Sequence, residues 1–328
     1  MTNAPKPKVS NIRRVHGDGL HNAFTDLCWF QGRIYLTFRT CPEGHMVHNS
    51  SFIRILRSED GNDWEQVGQF SVPDRDTRDP HFLVFQNKLF VYSGAWRVVG
   101  EGEARNINDH LGFCVWTEDG DAWSEPVTLE GTYGHYIWRA VEADGCAYLC
   151  GRRKKDFVES TGPEGGEMTQ AVLLKSENGL VWHFHSVFRQ HYGDETAFAI
   201  ESDGSMIALA RTLINGGGNA CLCRARPPYL EWAETDLGRY VGGPMICKWG
   251  DRTLIGGRRI VDGVSATMLY WLVDKQLVEA AKLPSGGDNS YTGFVPRDDH
   301  HGLLSYYSSH ESTKKNEASI YLADLEVE

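Results

Sequence analysis

The residues of this sequence that could do chemistry lie at the starts of six similar strand–turn–strand segments and in the loops beside them. Carboxylates can transfer protons, guanidinium groups bind carboxylates or hydroxyls, and aromatic rings stack on sugar faces, so the set suits a carbohydrate pocket. A wet channel in which the polar groups only pair with one another is the alternative interpretation. The candidates are Asp26, Arg39, Glu43, His45, Arg78, Asp79, His135, Tyr136, Arg139, Glu195, Arg211, Arg258, Asp288 and Tyr291.

Six hairpins rich in apolar and aromatic residues must position these candidates. The hairpins cover residues 26–39, 79–94, 138–153, 195–211, 243–259 and 290–307. Each is followed by a further strand or hairpin, so one unit of roughly 50 residues supplies the four strands of a propeller blade. The pattern predicts an all-β protein, a six-bladed β-propeller formed as one domain by residues 1–328. The innermost strands of a propeller start around one axis, which would gather the candidates from distant positions.

The sixth unit is one strand short. After SIYLADLEV (319–327) no fourth strand follows, whereas VSNIRRV (9–15) near the N-terminus has no partner of its own. We therefore expect the N-terminal strand to complete the last blade and close the ring, which removes exposed strand edges. Two β-sandwiches would also need many short strands, but they require no sixfold repeat.

Three turns share one pattern, in RSEDGNDWEQV (57–67), WTEDGDAWSEP (116–126) and KSENGLVWHFH (175–185). In each, Asp or Asn can accept backbone N–H bonds, Gly can take a positive φ, and Trp can bury its ring on the next strand. The turns resemble the Asp-box of sialidases and related propellers, although here Gly follows Asp or Asn directly.

Over nearly its whole length, the chain resembles sialidase-like six-bladed β-propellers, and most of all a group of bacterial sialidase-like proteins with little assigned function. The segment GDETAFAIESDGSMIALAR (193–211) is similar to their fourth blade, and GDNSYTGFV (287–295) to the start of their sixth. The resemblance implies a glycoside hydrolase that removes a terminal sugar, acidic sugars included. It makes Tyr291 the nucleophile and Glu195 its base, since a phenol with a pKa of about 10 needs a carboxylate to take its proton. In this scheme His45, Glu43 or Asp26 would be the proton donor.

Three features depart from the sialidase pattern. Ala23 stands where those enzymes have one arginine of a three-arginine clamp for the substrate carboxylate. Tyr306 and Tyr307 stand where they have the acid that supports this arginine, and the loop TCPEGHMVHNSS (40–51) offers Glu and His in place of the catalytic Asp. These departures predict a substrate other than a standard sialic acid.

Two other functions remain open at this stage. Histidines and tyrosines near the expected pocket could abstract and return protons at C5 of a uronic acid, which would make the protein a lyase on uronic-acid-containing glycans. The propeller could also bind a glycan or a protein without catalysis, because this fold hosts many functions.

The charge and hydropathy of the chain exclude two classes of partner. The formal net charge of -11 argues against nucleic acid, because phosphate binding needs a surplus of Lys and Arg on one face. No apolar stretch approaches the roughly 20 residues needed to cross a bilayer, so we expect no membrane partner. Residues 1–10 lack the apolar segment of a secretory signal, which predicts a cytoplasmic location.

Neither a metal nor a cofactor is expected from the motifs. The eight cysteines lie mostly in strand-like apolar runs and lack zinc-ligand spacing, which indicates buried thiols in a reducing compartment. The Gly-rich stretches are not followed by the Lys-Ser/Thr of a phosphate loop, so they are interpreted as turns.

Overall fold

The computed structural model describes residues 4–100, 106–159, 162–214 and 217–328, in which 24 strands form six antiparallel sheets of four strands each. The N-terminal strand and the strands of blades 1 to 3 are β1 (Lys8–His16), β2 (His21–Phe30), β3 (Arg33–Cys41), β4 (Phe52–Ser58), β5 (Glu65–Phe70), β6 (Arg75–Phe85), β7 (Lys88–Arg97), β8 (Leu111–Thr117), β9 (Val127–Thr128), β10 (Tyr136–Ala143), β11 (Cys146–Lys154), β12 (Thr169–Ser176) and β13 (His183–Arg189). The strands of blades 4 to 6 are β14 (Gly193–Ile200), β15 (Met206–Thr212), β16 (Gly218–Ala225), β17 (Ala233–Asp236), β18 (Gly242–Trp249), β19 (Arg252–Val261), β20 (Val264–Val273), β21 (Gln276–Lys282), β22 (Asn289–Pro296), β23 (His301–Ser308) and β24 (Ser319–Glu326).

The first strand of each blade lies innermost in the ring. The strands β2, β6, β10, β14, β18 and β22 each contact the innermost strand of the next blade, and β22 contacts β2. Neighbouring strands within a blade follow chain order, apart from the last sheet, whose order is β1-β24-β23-β22. The prediction of a six-bladed β-propeller is therefore confirmed.

The helical elements whose bounds the structure gives are short and lie in the loops of blades 2 and 3. They are the 3-10 helices Ile107–Asp109 and Lys155–Phe157 and the α-helix α1 (Gly162–Glu167). Within the ranges that the structure covers, none of the helices is long and apolar enough to span a membrane.

The N-terminal strand closes the ring, as the sequence predicts. Strand β1 runs antiparallel to β24, with Lys8 opposite Glu326 and His16 opposite Ile320. The apolar side chain of Val9 packs against the cluster between blades 5 and 6. The closure therefore satisfies the outer edge of β24 and covers apolar surface at the same time.

Deletion of residues 1–16 is expected to open the ring and destabilise the whole protein. The loss of one strand costs on the order of 5 kcal/mol, or roughly 10 °C or more in Tm for a chain of this size, and the bare edge of β24 favours aggregation. Thermal unfolding and size-exclusion chromatography of the shortened chain test this, with deletion of residues 1–3 as the control. A shortened chain that melts like the full chain would show that the closure is dispensable.

Apolar side chains fill the spaces between neighbouring blades. Leu209 of blade 4 and Ile255 of blade 5 belong to one buried cluster, and Trp249 of blade 5 and Leu304 of blade 6 belong to the next. The eight cysteines are free thiols. Because close-packed interiors resist deformation, the blades form a rigid frame around the axis.

The three repeated turns are held by side chain to backbone hydrogen bonds. The Ser58 hydroxyl accepts from the backbone N–H of Gly61 at 2.8 Å, and Asp60 Oδ1 accepts from that of Asn62 at 2.8 Å. The other two turns repeat both bonds. The Trp of the third turn, Trp182, is buried. The geometry expected of the turns is therefore present, while their assignment as Asp-boxes stays a prediction.

Candidate active site

A one-residue bulge interrupts the innermost strand of every blade near its start. In blade 1, Ala23 pairs with Arg39 and Asp26 with Thr37, so two residues of β2 lie opposite one residue of β3. The bulged pairs in the six blades are 24–25, 79–80, 138–139, 194–195, 243–244 and 291–292. A bulge takes side chains out of the regular in–out alternation of a strand. The bulges occur at the same place in all six blades, and they contain the candidates Asp79, Arg139, Glu195 and Tyr291.

Four of the bulges begin with a residue in the left-handed region. The φ angles are 63° at Phe24, 52° at Asp79, 58° at Gly243 and 43° at Tyr291. For the three residues that carry a Cβ, this conformation costs about 1–2 kcal/mol each, and such strain concentrates at functional sites. The backbone conformation is therefore evidence for a functional site at these positions that does not depend on side-chain chemistry.

Tyr291 and Glu195 meet beside the axis. The Tyr291 hydroxyl donates to Glu195 Oε1 at 2.7 Å, although the residues belong to blades 6 and 4. Both side chains are nearly buried, with exposed fractions of 6% and 8%. The structure thus brings together the two residues that the sialidase resemblance pairs.

The electrostatics of the pair favour a neutral phenol next to an ionised carboxylate. Burial disfavours the charge on Glu195, but the Arg211 guanidinium, 3.0 Å from Oε2, and the Tyr291 hydrogen bond outweigh it, so the pKa of Glu195 lies below its ordinary value. Burial and the charge of Glu195 raise the pKa of Tyr291 well above its ordinary value. A buried phenol of this kind becomes nucleophilic only when a base removes its proton, and Glu195 is in place to do so.

Gly243 makes room for this pair. Its backbone N–H donates to Glu195 Oε2 at 2.9 Å. A Cβ at position 243 would lie 1.6 Å from Cδ1 of Tyr291, so no side chain fits there without displacing the ring. Gly243 therefore contributes a hydrogen bond to the Glu195 carboxylate and leaves the space that the Tyr291 ring occupies.

Aromatic rings enclose Tyr291. Its ring centroid lies 5.0 Å from that of Phe24, 5.3 Å from that of Trp138 and 6.0 Å from that of Tyr307. The Arg258 guanidinium carbon lies 5.5 Å from the same centroid. The rings fix the orientation of the tyrosine, and the guanidinium favours any negative charge that develops on its oxygen.

Asp288 joins two histidines, an arginine and a tyrosine. Its Oδ2 lies 2.8 Å from His21 Nε2 and 2.6 Å from His45 Nδ1, while its Oδ1 accepts from Arg258 at 3.2 Å and from the Tyr307 hydroxyl at 2.9 Å. The His and Asp ligand atoms lie within 4.8 Å of one another, a spacing at which they could hold a metal ion. Because the Arg258 cation shares the carboxylate, the cluster suits proton sharing better than a second cation. Despite its burial, these hydrogen bonds keep the pKa of Asp288 well below its usual range.

Each of the five candidate arginines, which were expected to bind the substrate, is paired with a carboxylate of this chain. The pairs are Arg39–Asp76, Arg78–Asp76, Arg139–Asp26, Arg211–Glu195 and Arg258–Asp288. Arg39 has no exposed surface, and its other N–H groups donate to the carbonyl oxygens of Gly44 and Met46. The positive charge of the pocket is therefore largely neutralised before any ligand binds.

Two of the three expected proton donors are held as carboxylates. Burial disfavours the charge on Asp26, but Arg139 at 2.8 Å and His81 outweigh it and bring its pKa down to about 2. The Ser50 hydroxyl donates to Glu43 and lowers the pKa of that carboxyl, which lies outside the aromatic enclosure. The third, His45, has a side chain that is 42% exposed, and its Nδ1 lies 2.6 Å from Asp288 Oδ2.

Asp79 is a buried carboxyl with an incomplete set of partners. It is 4% exposed, and its Oδ1 has no hydrogen-bond partner among the residues that the structure describes. Its Oδ2 lies 3.5 Å from Arg78 Nε. Burial, with the nearby charges of Glu195 and Asp76, outweighs Arg78 and raises the pKa of Asp79 to about 7.

Of the two candidates at the start of blade 3, Tyr136 packs against the aromatic site and His135 contacts the preceding loop. Tyr136 lies beneath the Arg152 guanidinium, 4.9 Å from its ring centroid, and next to Trp138, so it extends the aromatic enclosure. His135 Nδ1 lies 3.0 Å from the Tyr133 carbonyl oxygen. Burial lowers the pKa of His135 to about 4, so this histidine is neutral and supports the loop before β10.

Three residues of the site were not singled out by the sequence. Phe24 enters through the first bulge, one position after the residue aligned with the missing arginine. Asp76 lies two residues before Arg78 and bridges Arg39 and Arg78. Tyr240 precedes β18, with the Arg211 guanidinium 5.7 Å from its ring centroid. Of the three, only Tyr240 had a usable sequence signal, because it is an aromatic residue just before an innermost strand.

The six sheets form a six-bladed β-propeller, the fold that solved sialidase structures share. A protein of unknown function from Dyadobacter fermentans has the same fold with a TM-score of 0.82 and 18% identity, covering 99% of this chain and 100% of that one. Trypanosoma rangeli sialidase in complex with the inhibitor DANA matches with a TM-score of 0.68 and 14% identity, covering 96% of this chain and 60% of the sialidase. Zg3597, a family 117 glycoside hydrolase of Zobellia galactanivorans, matches with a TM-score of 0.56 and 12% identity, covering 98% and 90%. No family model matches the sequence. No curated protein matches it either.

Proposed function

We propose that this protein is a glycoside hydrolase that removes a terminal sugar through Tyr291 as nucleophile and Glu195 as its base. The observation that carries the proposal is the 2.7 Å hydrogen bond from the Tyr291 hydroxyl to Glu195 Oε1 in a buried, aromatic site on the axis. Structural neighbours that are a sialidase and a family 117 glycoside hydrolase support the reaction class.

The geometry accounts for the first chemical step. As the Tyr291 oxygen bonds to the anomeric carbon, its proton passes to Glu195 Oε1. Arg258 beside the ring stabilises the charge that develops on the phenol oxygen. Arg211 and the Gly243 N–H hold the second carboxylate oxygen, so Glu195 stays ionised and oriented until it accepts the proton.

The pairing of the arginines favours a neutral sugar. A substrate carboxylate needs guanidinium N–H groups that are free of other anions. Here Arg39 is fully buried and paired with Asp76. The other candidate arginines, Arg78, Arg139, Arg211 and Arg258, already face Asp76, Asp26, Glu195 and Asp288 respectively. At the bulge of blade 1, the aromatic ring of Phe24 lies against Tyr291.

We therefore expect neutral glycosides to be hydrolysed with kcat/KM roughly 10-fold or more above that of their uronic-acid counterparts. Matched 4-methylumbelliferyl substrates, such as galactoside with galacturonide and glucoside with glucuronide, measure this directly. Preference for the uronide or for a sialoside would contradict the inference of a neutral substrate. It would not affect the proposed roles of Tyr291 and Glu195.

A panel of 4-methylumbelliferyl glycosides and reducing-end-labelled oligosaccharides tests the function itself. The proposal predicts release of a saturated monosaccharide from the non-reducing end. A product that absorbs in the near ultraviolet would identify elimination, and hence the lyase. Binding without turnover during long incubation would identify a non-catalytic propeller.

A further inference from the structure

We propose that Asp79 is the proton donor to the leaving group and the base that later activates water. The inference rests on the proposed function, since it completes the reaction that Tyr291 and Glu195 begin. Asp26 and Glu43 are held as carboxylates, and His45 is occupied by Asp288, so the described site contains a nucleophile and a base but lacks an assigned acid of suitable character.

The position of Asp79 suits this role. Asp79, Glu195 and Tyr291 occupy the bulges of blades 2, 4 and 6, which alternate around the axis. A sugar bound over the axis therefore meets the tyrosine and its base on one side and Asp79 from another blade. Phe24 connects Asp79's neighbour Arg78 to the tyrosine. The Arg78 guanidinium lies 4.9 Å from the Phe24 ring centroid, and the same ring packs against Tyr291.

The backbone is specialised to present this carboxyl. Asp79 has a φ of 52°, which is costly for a residue with a side chain. Its Oδ1 is buried without a hydrogen-bond partner in the described residues, and such a group costs about 1–3 kcal/mol. Arg78, at 3.5 Å, touches Oδ2 alone. Oδ1 therefore has no described partner to compete with a substrate oxygen, and proton donation by Asp79 requires the bound sugar to reach this buried atom.

Burial, together with nearby anions, raises the pKa of Asp79 into the neutral range. The titratable and charged groups that act on it come from its own strand and from blades 1, 4 and 6, and they are Asp76, Arg78, Arg39, Glu195, Tyr291 and Tyr307. Burial and the anions outweigh the two arginines and raise the pKa of Asp79 to about 7. A general acid is most effective when its pKa lies near the working pH.

The resulting reaction balances. In the first step the Tyr291 oxygen bonds to the anomeric carbon, the bond from this carbon to the leaving oxygen breaks, Glu195 takes the tyrosine proton, and Asp79 gives its proton to the leaving oxygen. In the second step water bonds to the anomeric carbon and loses a proton to Asp79. The bond to Tyr291 breaks, and the tyrosine oxygen regains its proton from Glu195.

The leaving group provides the test. In Asp79→Asn, we expect turnover of methyl glycosides or disaccharides, whose leaving alcohols need a proton, to fall on the order of 10²–10⁴-fold. Glycosyl transfer from a 2,4-dinitrophenyl glycoside, whose leaving group needs none, should change less than roughly 10-fold in its first step. Azide should accelerate breakdown of the intermediate in the variant and give a glycosyl azide, because azide needs no base.

The pH profile is the second readout and needs no variant. With poor leaving groups, kcat/KM of the natural chain should be constant below pH 7 and fall above it, because Asp79 loses its proton there. Glu195, with its lowered pKa, remains a base over the same range. With 2,4-dinitrophenyl leaving groups the decrease above pH 7 should be absent.

Two variants serve as controls. Asp251→Asn changes an acid whose side chain is 91% exposed, and should leave every rate unchanged. His45→Gln tests the competing donor. A leaving-group signature in His45→Gln with none in Asp79→Asn would overturn the assignment of Asp79, and so would equal losses for all leaving groups in Asp79→Asn. If the natural chain hydrolyses no glycoside of either leaving-group type, the proposed function itself fails.

Discussion

Replacement of Tyr291 by phenylalanine is expected to reduce glycoside turnover by on the order of 10³-fold or more while the protein remains folded. The change removes the oxygen that forms the bond to the sugar, so no other group can substitute for it at that position. Glu195 would keep its bonds to Arg211 and to the Gly243 N–H. The stability change should therefore be only about 1 kcal/mol. Steady-state kinetics and thermal unfolding of the same preparation measure both effects.

Glu195→Gln should give a related defect, on the order of 10²–10⁴-fold, because the amide can hold the tyrosine hydroxyl but cannot accept its proton. Tyr229→Phe is the matched control, since its hydroxyl donates to the Gly204 carbonyl at 2.9 Å in an outer turn. This control should leave the kinetics unchanged. Equal activity of Tyr291→Phe and the unmodified chain would refute a role for the phenol oxygen.

Gly243→Ala is expected to reduce turnover by roughly 10²-fold or more, although the glycine has no functional side chain. The new Cβ would lie 1.6 Å from Cδ1 of Tyr291, so the ring must move away from Glu195. The residue also has a φ of 58°, and clash and strain together should lower the free energy of unfolding by about 2–4 kcal/mol. Kinetics and denaturant unfolding of the variant measure the two losses.

Gly145→Ala separates the clash from the backbone strain. Gly145 has a φ of 73°, but a Cβ there would meet no atom within 4 Å. This variant should lose about 1 kcal/mol of stability and no activity. If Gly243→Ala behaves like Gly145→Ala, the close approach of the glycine to Tyr291 has no catalytic importance.

The repeat architecture could be predicted from the sequence because its signals are local. Alternating apolar residues and Gly-containing turns specify hairpins within a few residues, and six copies specify the number of blades. The unpaired strand at the N-terminus then indicated how the ring closes. Each of these inferences depends on short segments whose physical meaning does not change with distant context.

The fine structure of the site could not be predicted in the same way. A bulge is a mismatch between two paired strands, and its position depends on register rather than on local composition. The bulge in β2 puts Phe24 against Tyr291, whereas the resemblance to the sialidase pattern drew attention to Ala23. Similarly, the contact of Gly243 with Glu195 and Tyr291 joins three blades and leaves no trace in the sequence around any of them.

Residue types were informative, but their partners decided their roles. Asp26 is an acidic residue just after the bulge of an innermost strand, yet Arg139 from blade 3 holds it as a carboxylate. Asp79 is equally polar in sequence, yet burial beside Glu195 gives it a pKa of about 7. Since desolvation and neighbouring charges set protonation, only the assembled ring distinguishes the two carboxyls.

The most direct test of the central claim is to trap the sugar on the protein. A fluorinated glycoside with a reactive leaving group slows the second step more than the first, so a covalent intermediate accumulates. Mass spectrometry of the digested protein should then find the added sugar on the peptide that contains Tyr291, and the sugar should be absent from Tyr291→Phe. Hydrolysis with inversion at the anomeric carbon and no label on that peptide would contradict nucleophilic catalysis by Tyr291.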